Sequence, residues 1–192
     1  MRDLTEEITG LLSFQLFDGP LCDRVIDQAE RSNDWTAASI GEENDGAYGS
    51  AVRPQYRSAV TFSPPPESIA HCELTRSIER HVRPNLESTW QVHNLRYQDT
   101  HIVRYRPGGF YVTHADAGLD VNHRYFTVLC YLNDDYEGGR TSFPTLNYSV
   151  VPQKGKAIIF PATYLHRAEP VIAGTKYILV SWLVGGATPR WI

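Results

Sequence analysis

Residues 110–116 read Phe-Tyr-Val-Thr-His-Ala-Asp, an apolar strand-like run that ends on an imidazole and a carboxylate two positions apart. Side chains two apart on a strand point to the same face, so this spacing puts Phe110, Val112, His114 and Asp116 on one side and lets His114 and Asp116 bind one ion. A third ligand must come from another element. His166, in the strand-like stretch Ala-Thr-Tyr-Leu-His at 162–166, is the candidate. Two imidazoles and one carboxylate on one face of an ion form a facial triad, which leaves coordination positions open and suits non-haem Fe(II) oxygen chemistry.

Lys176 follows ten residues after His166, in the otherwise apolar run 175–182, with Ile178, Val180 and Trp182 on its own face. If residues 164–169 and 175–184 pair as a hairpin centred on residue 171, His166 falls opposite Lys176, and opposed Cβ atoms in such a pair lie ~5 Å apart. A cation on an inward apolar face beside a metal calls for an anionic ligand, because buried lysines are rarely unpaired. A small dicarboxylate fits. Tyr105 and Thr127 offer hydroxyls from neighbouring strands, Trp182 shares the lysine face at the mouth, and His123 follows Asp116 closely enough to line the same pocket.

These residues need strands to carry them. After about residue 90 the chain breaks into short runs rich in Val, Ile, Tyr, Phe and Thr, predicting strands at 92–97, 101–106, 110–116, 124–132, 140–143, 148–152, 157–161, 164–169 and 175–184. Turn signals separate them at 106–109, 133–135, 138–139, 152–155 and 170–174. Upstream, Asp18-Gly19-Pro20 starts an amphipathic helix over 20–33, residues 36–50 read as a Gly-rich surface loop of a kind that could serve as a lid, and a strand is expected at 56–62. Ile69, Leu74, Ile78 and Val82 keep near-helical spacing until Pro84 kinks or ends the run. Helices confined to the first half argue for an α+β, mainly β fold: a jelly roll of cupin-like type, with helical support over about 1–90 and a strand core over about 91–184. His71 and Glu73 also stand two apart, but on a helix that spacing turns them to different sides. His81, His93 and His101 read as ordinary polar or partly buried residues.

Composition narrows the alternatives. A chain of 192 residues with 42% hydrophobic and 21% charged residues is expected to form one domain. A net charge of −4 gives no basic face for nucleic acid, and no segment approaches the apolar length of a membrane span. The start lacks a signal-peptide pattern, so a cytoplasmic location is expected. Cys22, Cys72 and Cys130 are widely spaced and odd in number, which suggests neither a disulfide framework nor a cysteine zinc site.

With its HAD tripeptide at 114–116, distal His166, Lys176 and Trp182, the chain resembles the 2-oxoglutarate- and Fe(II)-dependent oxygenases of the prolyl 4-hydroxylase-like branch. Tyr105, the strand RYFTVLCYL at 124–132, Glu137-Gly138-Gly139, Pro144, Val151-Pro152, Lys154-Gly155 and the run AIIF at 157–160 carry the same resemblance. It spans roughly residues 92–184, with weaker support over 21–35. It implies a double-stranded β-helix in which His114, Asp116 and His166 hold Fe(II), while Lys176, helped by Tyr105 and Thr127, pairs with the distal carboxylate of 2-oxoglutarate. The implied reaction consumes O2, releases succinate and CO2, and hydroxylates an unactivated C–H bond of a prolyl or other amino-acid-type substrate, free or peptide-bound, with ascorbate as a stimulant. Asp116 occupies the place that halogenating relatives leave to chloride, and Lys176 stands where nucleic-acid demethylases typically use Arg. Two other readings stay open at this point: a cupin-like metal-binding isomerase or ligand sensor that never activates dioxygen, and a degenerate interaction domain.

Overall fold

The computed structural model describes residues 4–44, 47–118, 121 and 123–185. The first half of the chain supplies β1 (Thr5–Ile8), β2 (Leu11–Gln15), α1 (Gly19–Glu30), β3 (Thr36–Ala37), β4 (Ile40–Asn44), β5 (Ala47–Ala51), β6 (Arg57–Ser58) and β7 (Val60–Phe62). It continues with α2 (Ile69–Ser77), a π-helical turn (Ile78–Val82) and α3 (Arg83–Trp90). The second half supplies β8 (Arg96–Tyr105), β9 (Phe110–His114), β10 (Arg124–Tyr131), β11 (Glu137–Gly138), β12 (Thr141–Phe143) and β13 (Tyr148–Val150). It ends with β14 (Lys156–Pro161), β15 (His166–Ala168), β16 (Val171–Ala173) and β17 (Lys176–Val184).

Two antiparallel sheets face each other. The major sheet runs β1-β2-β14-β10-β17-β8-β7-β3, the minor sheet β13-β12-β15-β9-β6, and β11–β16 and β4–β5 form separate pairs. This is the jelly roll that the strand pattern predicts, in the double-stranded β-helix form that the resemblance implies. Its central strands are apolar on both faces because both faces are covered. On β10, Phe126, Val128 and Cys130 pack toward the helices with Cys22, Val25, Leu74 and Leu86, while Leu129 and Tyr131 pack between the sheets with Phe143, Phe160 and Ile178. Thr127 belongs to that inner face.

The helices follow local signals. Asp18 caps α1 by accepting from the Leu21 N–H at 2.8 Å, Pro20 sits in its first turn, and Cys22, Val25 and Ala29 form the buried stripe. Ser68 caps α2 in the same way. Near Pro84, which has no N–H to give, the ladder widens into the π-helical turn and the chain stays helical to Trp90. All three cysteines are free thiols. No described helix is long and apolar enough to cross a membrane.

The structure corrects several expectations. α1 ends at Glu30, short of residue 33, and the strands expected at 92–97 and 101–106 are one strand, β8. Most of the segment 36–50 is not loop: β4 and β5 pair as a hairpin from Ile40↔Ala51 to Asn44↔Ala47, with residues 45–46 outside the described residues. The N-terminal support is not purely helical, since β1 and β2 extend the major sheet past β14; the acidic β1 is an edge, where charge suits exposure. Finally, His166 and Lys176 are not hairpin partners. β15 pairs with β9 and β12 in the minor sheet, whereas β17 pairs with β8 and β10 in the major sheet, so the two residues belong to opposite walls.

Candidate active site

His114 and His166 are direct cross-strand neighbours on β9 and β15, and their rings lie 4.2 Å apart. Asp116 follows β9, with its own N–H and that of Ala117 both donating to the Ala162 carbonyl at 2.8 and 2.9 Å. This grip turns the carboxylate toward both imidazoles. His114 Nε2 stands 3.5 Å from Oδ1 and His166 Nε2 3.7 Å from Oδ2, and the three ligating atoms lie within 4.8 Å of one another. They form the one cluster of three or more such groups among the described residues.

The histidine tautomers suit a cation. His114 Nδ1 donates to the Val112 carbonyl at 2.8 Å and His166 Nδ1 to the Tyr164 carbonyl at 3.0 Å, so each ring presents the lone pair of Nε2 to the shared space. Burial pushes His166 down to about 4 against the opposing pull of Asp116, which keeps it neutral at pH 7. Burial raises Asp116, but His166, His114 and the Thr127 hydroxyl outweigh it and hold the carboxyl well below the usual range. Two imidazoles with Nε2 turned to one space and one carboxylate, open on one side, therefore fit a divalent first-row metal.

Thr127 acts on this carboxylate. Its hydroxyl donates to Asp116 Oδ2 at 2.7 Å, where the sequence pointed it at a cosubstrate. Supporting hydrogen bonds of this kind fix the orientation of a ligand, and their loss costs about 10–100-fold in metal affinity. Thr127→Val keeps shape and burial; it should weaken Fe(II) binding by that factor with little change in melting temperature, as read by anaerobic metal titration.

The triad opens into a cavity of about 490 Å³ between the sheets. Lys176 stands on the opposite wall, fully buried, paired across the major sheet with Tyr105. Its Nζ donates to the Gly139 carbonyl at 2.6 Å and lies 5.3 and 5.7 Å from the rings of Tyr105 and Tyr131. Burial depresses it to about 7, opposed by Glu169. Gly139 has φ +60, and a Cβ there would come within 2.9 Å of Val171 and 3.3 Å of the lysine stem, so glycine serves both the turn and the lysine's room. Beside this ammonium, the hydroxyls of Tyr131 and Thr141 are buried without a hydrogen-bond partner. Both strands were legible as strands, but Tyr131 in its apolar run carried no mark of a polar task.

Most residues singled out from the sequence converge here. His114, Asp116, His166, Tyr105, Thr127, Lys176 and Trp182 all line the cavity. His123 does not; its carbonyl accepts from the Gly185 N–H and closes the sheet end. His101, read as ordinary, does line it: Nδ1 meets Ser63 Oγ at 3.0 Å and the ring sits 5.6 Å from Trp182. The same-face argument for β9 also needs correction. A bulge sets two residues of β9, Val112 and Thr113, against one of β15, Arg167, so Tyr111 joins His114 at the cavity, stacked on it at 3.5 Å, while Phe110 and Val112 line a separate outer groove. The β4–β5 hairpin adds Ile40, Gly41, Gly49 and Ser50 to the rim.

Known proteins share both sequence and fold. A family model described as the 2OG-Fe(II) oxygenase superfamily matches residues 100–184. The mouse procollagen-lysine,2-oxoglutarate 5-dioxygenase 1 is 29% identical over 181 residues, covering 88% of this chain and 23% of that protein. This chain spans only part of the curated relatives that it matches, from 23% to 52% of their length. A viral collagen prolyl hydroxylase from Paramecium bursaria Chlorella virus-1, solved with 2OG, superposes with a TM-score of 0.69 at 23% identity, over 91% of this chain and 95% of that one. A Pseudomonas putida prolyl-4-hydroxylase gives 0.74 at 16% identity, over 93% and 94%. At those identities the two structures speak for the fold, and the family model makes residues 100–184 of this chain similar to the 2OG-Fe(II) oxygenase superfamily, alongside relatives of the prolyl and lysyl hydroxylase type.

Proposed function

We propose that this protein is a 2-oxoglutarate- and Fe(II)-dependent hydroxylase, one oxygenase domain over its whole length, acting on a prolyl or other amino-acid-type substrate. The observation that carries the reading is the pairing, in one cavity, of an open His-Asp-His cluster with a fully buried lysine whose hydrogen-bond partner is a neutral carbonyl. The matched family uses Fe(II), 2-oxoglutarate and O2; iron held by the triad would let O2 deliver one oxygen atom to an unactivated C–H bond and the other to succinate, as 2-oxoglutarate loses CO2.

The chain's own residues do the rest. His114, Asp116 and His166 hold the metal on one face, with Thr127 fixing the carboxylate. Lys176 receives the distal carboxylate of 2-oxoglutarate, and the unpartnered hydroxyls of Tyr131 and Thr141 are placed to donate to it. Tyr105 forms the wall beside them. Trp182, with a buried Nε1–H that lacks a partner, and His101 border the side left for substrate. Enclosure between two sheets keeps bulk water from the reacting centre. A cytoplasmic location agrees with three free thiols.

The test is succinate formation from 2-oxoglutarate with Fe(II) under air, joined to mass-spectrometric search for a gain of one oxygen in proline-containing peptides and free amino acids. No succinate, together with no 2-oxoglutarate binding under anaerobic conditions, would sink the reading in favour of a metal-binding isomerase or sensor. Within it, Tyr131→Phe should weaken 2-oxoglutarate binding by about tenfold while leaving the ligand-free protein as stable or more so, because the removed hydroxyl is buried and unsatisfied. Titration and thermal melting read the two effects separately.

A further inference from the structure

The cavity wall carries positive charge that the proposed reaction leaves unassigned. Asp116 is the one acid among the described residues lining it, and it belongs to the triad; Lys176 faces the cosubstrate. Three arginines remain, Arg57, Arg124 and Arg167, in a protein whose net charge is −4. Such a local excess focuses a positive potential on the mouth.

The three are not equivalent. Arg124 lies 3.8 Å over the Trp182 ring and donates to the Asp116 carbonyl and Gln98 Oε1, each at 3.3 Å. Arg57 is held differently. As the first residue of β6 it pairs opposite Tyr111, and its guanidinium sits 4.6 Å over that ring, which is itself stacked on His114. One aromatic ring thus separates this cation from a triad imidazole. Its Nη1 donates to the Ser39 carbonyl at 2.9 Å, while its Nε is buried without a partner. No described carboxylate pairs with it. A buried guanidinium N–H without an acceptor is costly, and the cavity is the side from which an acceptor can arrive. Arg167, next to His166 and 48% exposed, stands at the rim and reaches Glu169 only at 3.5 Å, an acid whose Oε1 also accepts from Ser142.

We propose that the substrate presents a carboxylate close to the carbon that is hydroxylated, received by Arg57 and assisted at the rim by Arg167. A guanidinium fork matches a carboxylate with two parallel hydrogen bonds, and its stacking on Tyr111 fixes the fork before the ligand arrives. The inference rests on the hydroxylase reading and narrows it to anionic substrates. The carboxylate belongs either to an Asp or Glu side chain flanking the target residue in a peptide or to the α-carboxylate of a free amino acid.

Protein loaded with Mn(II) and 2-oxoglutarate, which fills the Lys176 end, is titrated with two probe pairs. One pair is N-acetylated, C-amidated peptides with a central proline flanked by Asp or Glu, against their Asn or Gln counterparts. The other is free proline against prolinamide. The acidic member of at least one pair is expected to bind about tenfold or more tightly, and the pair that shows it identifies the source of the carboxylate. Raising the salt concentration and Arg167→Gln should each shrink the ratio, and Arg57→Gln should bring it near unity, with Arg57→Lys recovering part. Equal affinity within both pairs overturns the proposal, as does a preference that survives Arg57→Gln. Should Arg57→Gln not fold, a ratio unmoved by both salt and Arg167→Gln overturns it. Failure of the hydroxylase reading looks different: 2-oxoglutarate itself then does not bind, while the acid–amide comparison still reads on the metal-free protein.

Discussion

Asp116→Ala is expected to lower Fe(II) affinity by at least about 100-fold and to reduce succinate formation to background. The carboxylate is the only charged member of the triad, and both histidines are presented by one strand pair, β9 and β15, so nothing else in the minor sheet can take its place. Its loss leaves two imidazoles 4.2 Å apart, a pair with neither the third donor nor the negative charge that a facial site uses to retain iron. The fold should bear the change. Asp116 is anchored through its backbone N–H to Ala162, which the substitution keeps, and the side-chain loss strands one Thr127 hydroxyl at a cost of about 1–3 kcal/mol. Asp116→Asn separates the contributions, since it retains an acceptor for Thr127 and removes the charge. Anaerobic titration with Fe(II) or Co(II) and a melting curve give the two readouts. Undiminished metal binding in Asp116→Ala would sink the assignment of the triad.

Lys176→Met should cut 2-oxoglutarate affinity by two orders of magnitude or more and, against the usual direction for a buried substitution, raise the stability of the ligand-free protein. The lysine is fully buried, with a carbonyl as its hydrogen-bond partner, and burial depresses it to about 7. A group whose pKa is lowered on folding binds more protons in the unfolded chain between its folded and unfolded values. Stability of the wild type should therefore rise with pH from about 7 toward 10.5, by an amount on the order of several kcal/mol. Methionine fills similar space without the charge, so this slope should vanish in the variant. A bound carboxylate reverses the balance and restores the ammonium. Cosubstrate binding at pH 8 should take up close to one proton, visible as a dependence of calorimetric enthalpy on the buffer's ionisation heat. Unchanged affinity in Lys176→Met, or no proton uptake, would dismiss the lysine as the carboxylate's partner.

Sequence made the site more legible than the scaffold that holds it. His114, Asp116, His166 and Lys176 stood out because ionisable residues in apolar strand runs need a partner, and the structure does gather them in one cavity. The route to Lys176 was nonetheless wrong. Adjacent strand-like segments suggest a hairpin, but in this fold the chain passes from sheet to sheet between β15 and β17, with β16 pairing to β11 on the way. The two residues face each other across the interior, which no local pattern encodes. The bulge in β9 is a similar case. Alternation assigned Val112 to the metal side, and one extra residue in the ladder gave that place to Tyr111. Arg57, His101 and Thr141 were missed for a related reason: each is unremarkable among its sequence neighbours and becomes polar wall only when remote strands meet, and Tyr131 lies buried behind that wall with an unpartnered hydroxyl.

Both triad histidines belong to the minor sheet, whereas Asp116 is held by Thr127 of the major sheet. An ion bound there is a rivet through two separate layers at the end where they open. The minor strands are short, three residues in β15 and five in β9, and no disulfide fastens them among the described residues. On the proposed reading, metal supply would govern more than turnover: the loaded protein should resist proteolysis and amide exchange in β9 and β15, and a cell short of iron would hold a molecule more easily cleared.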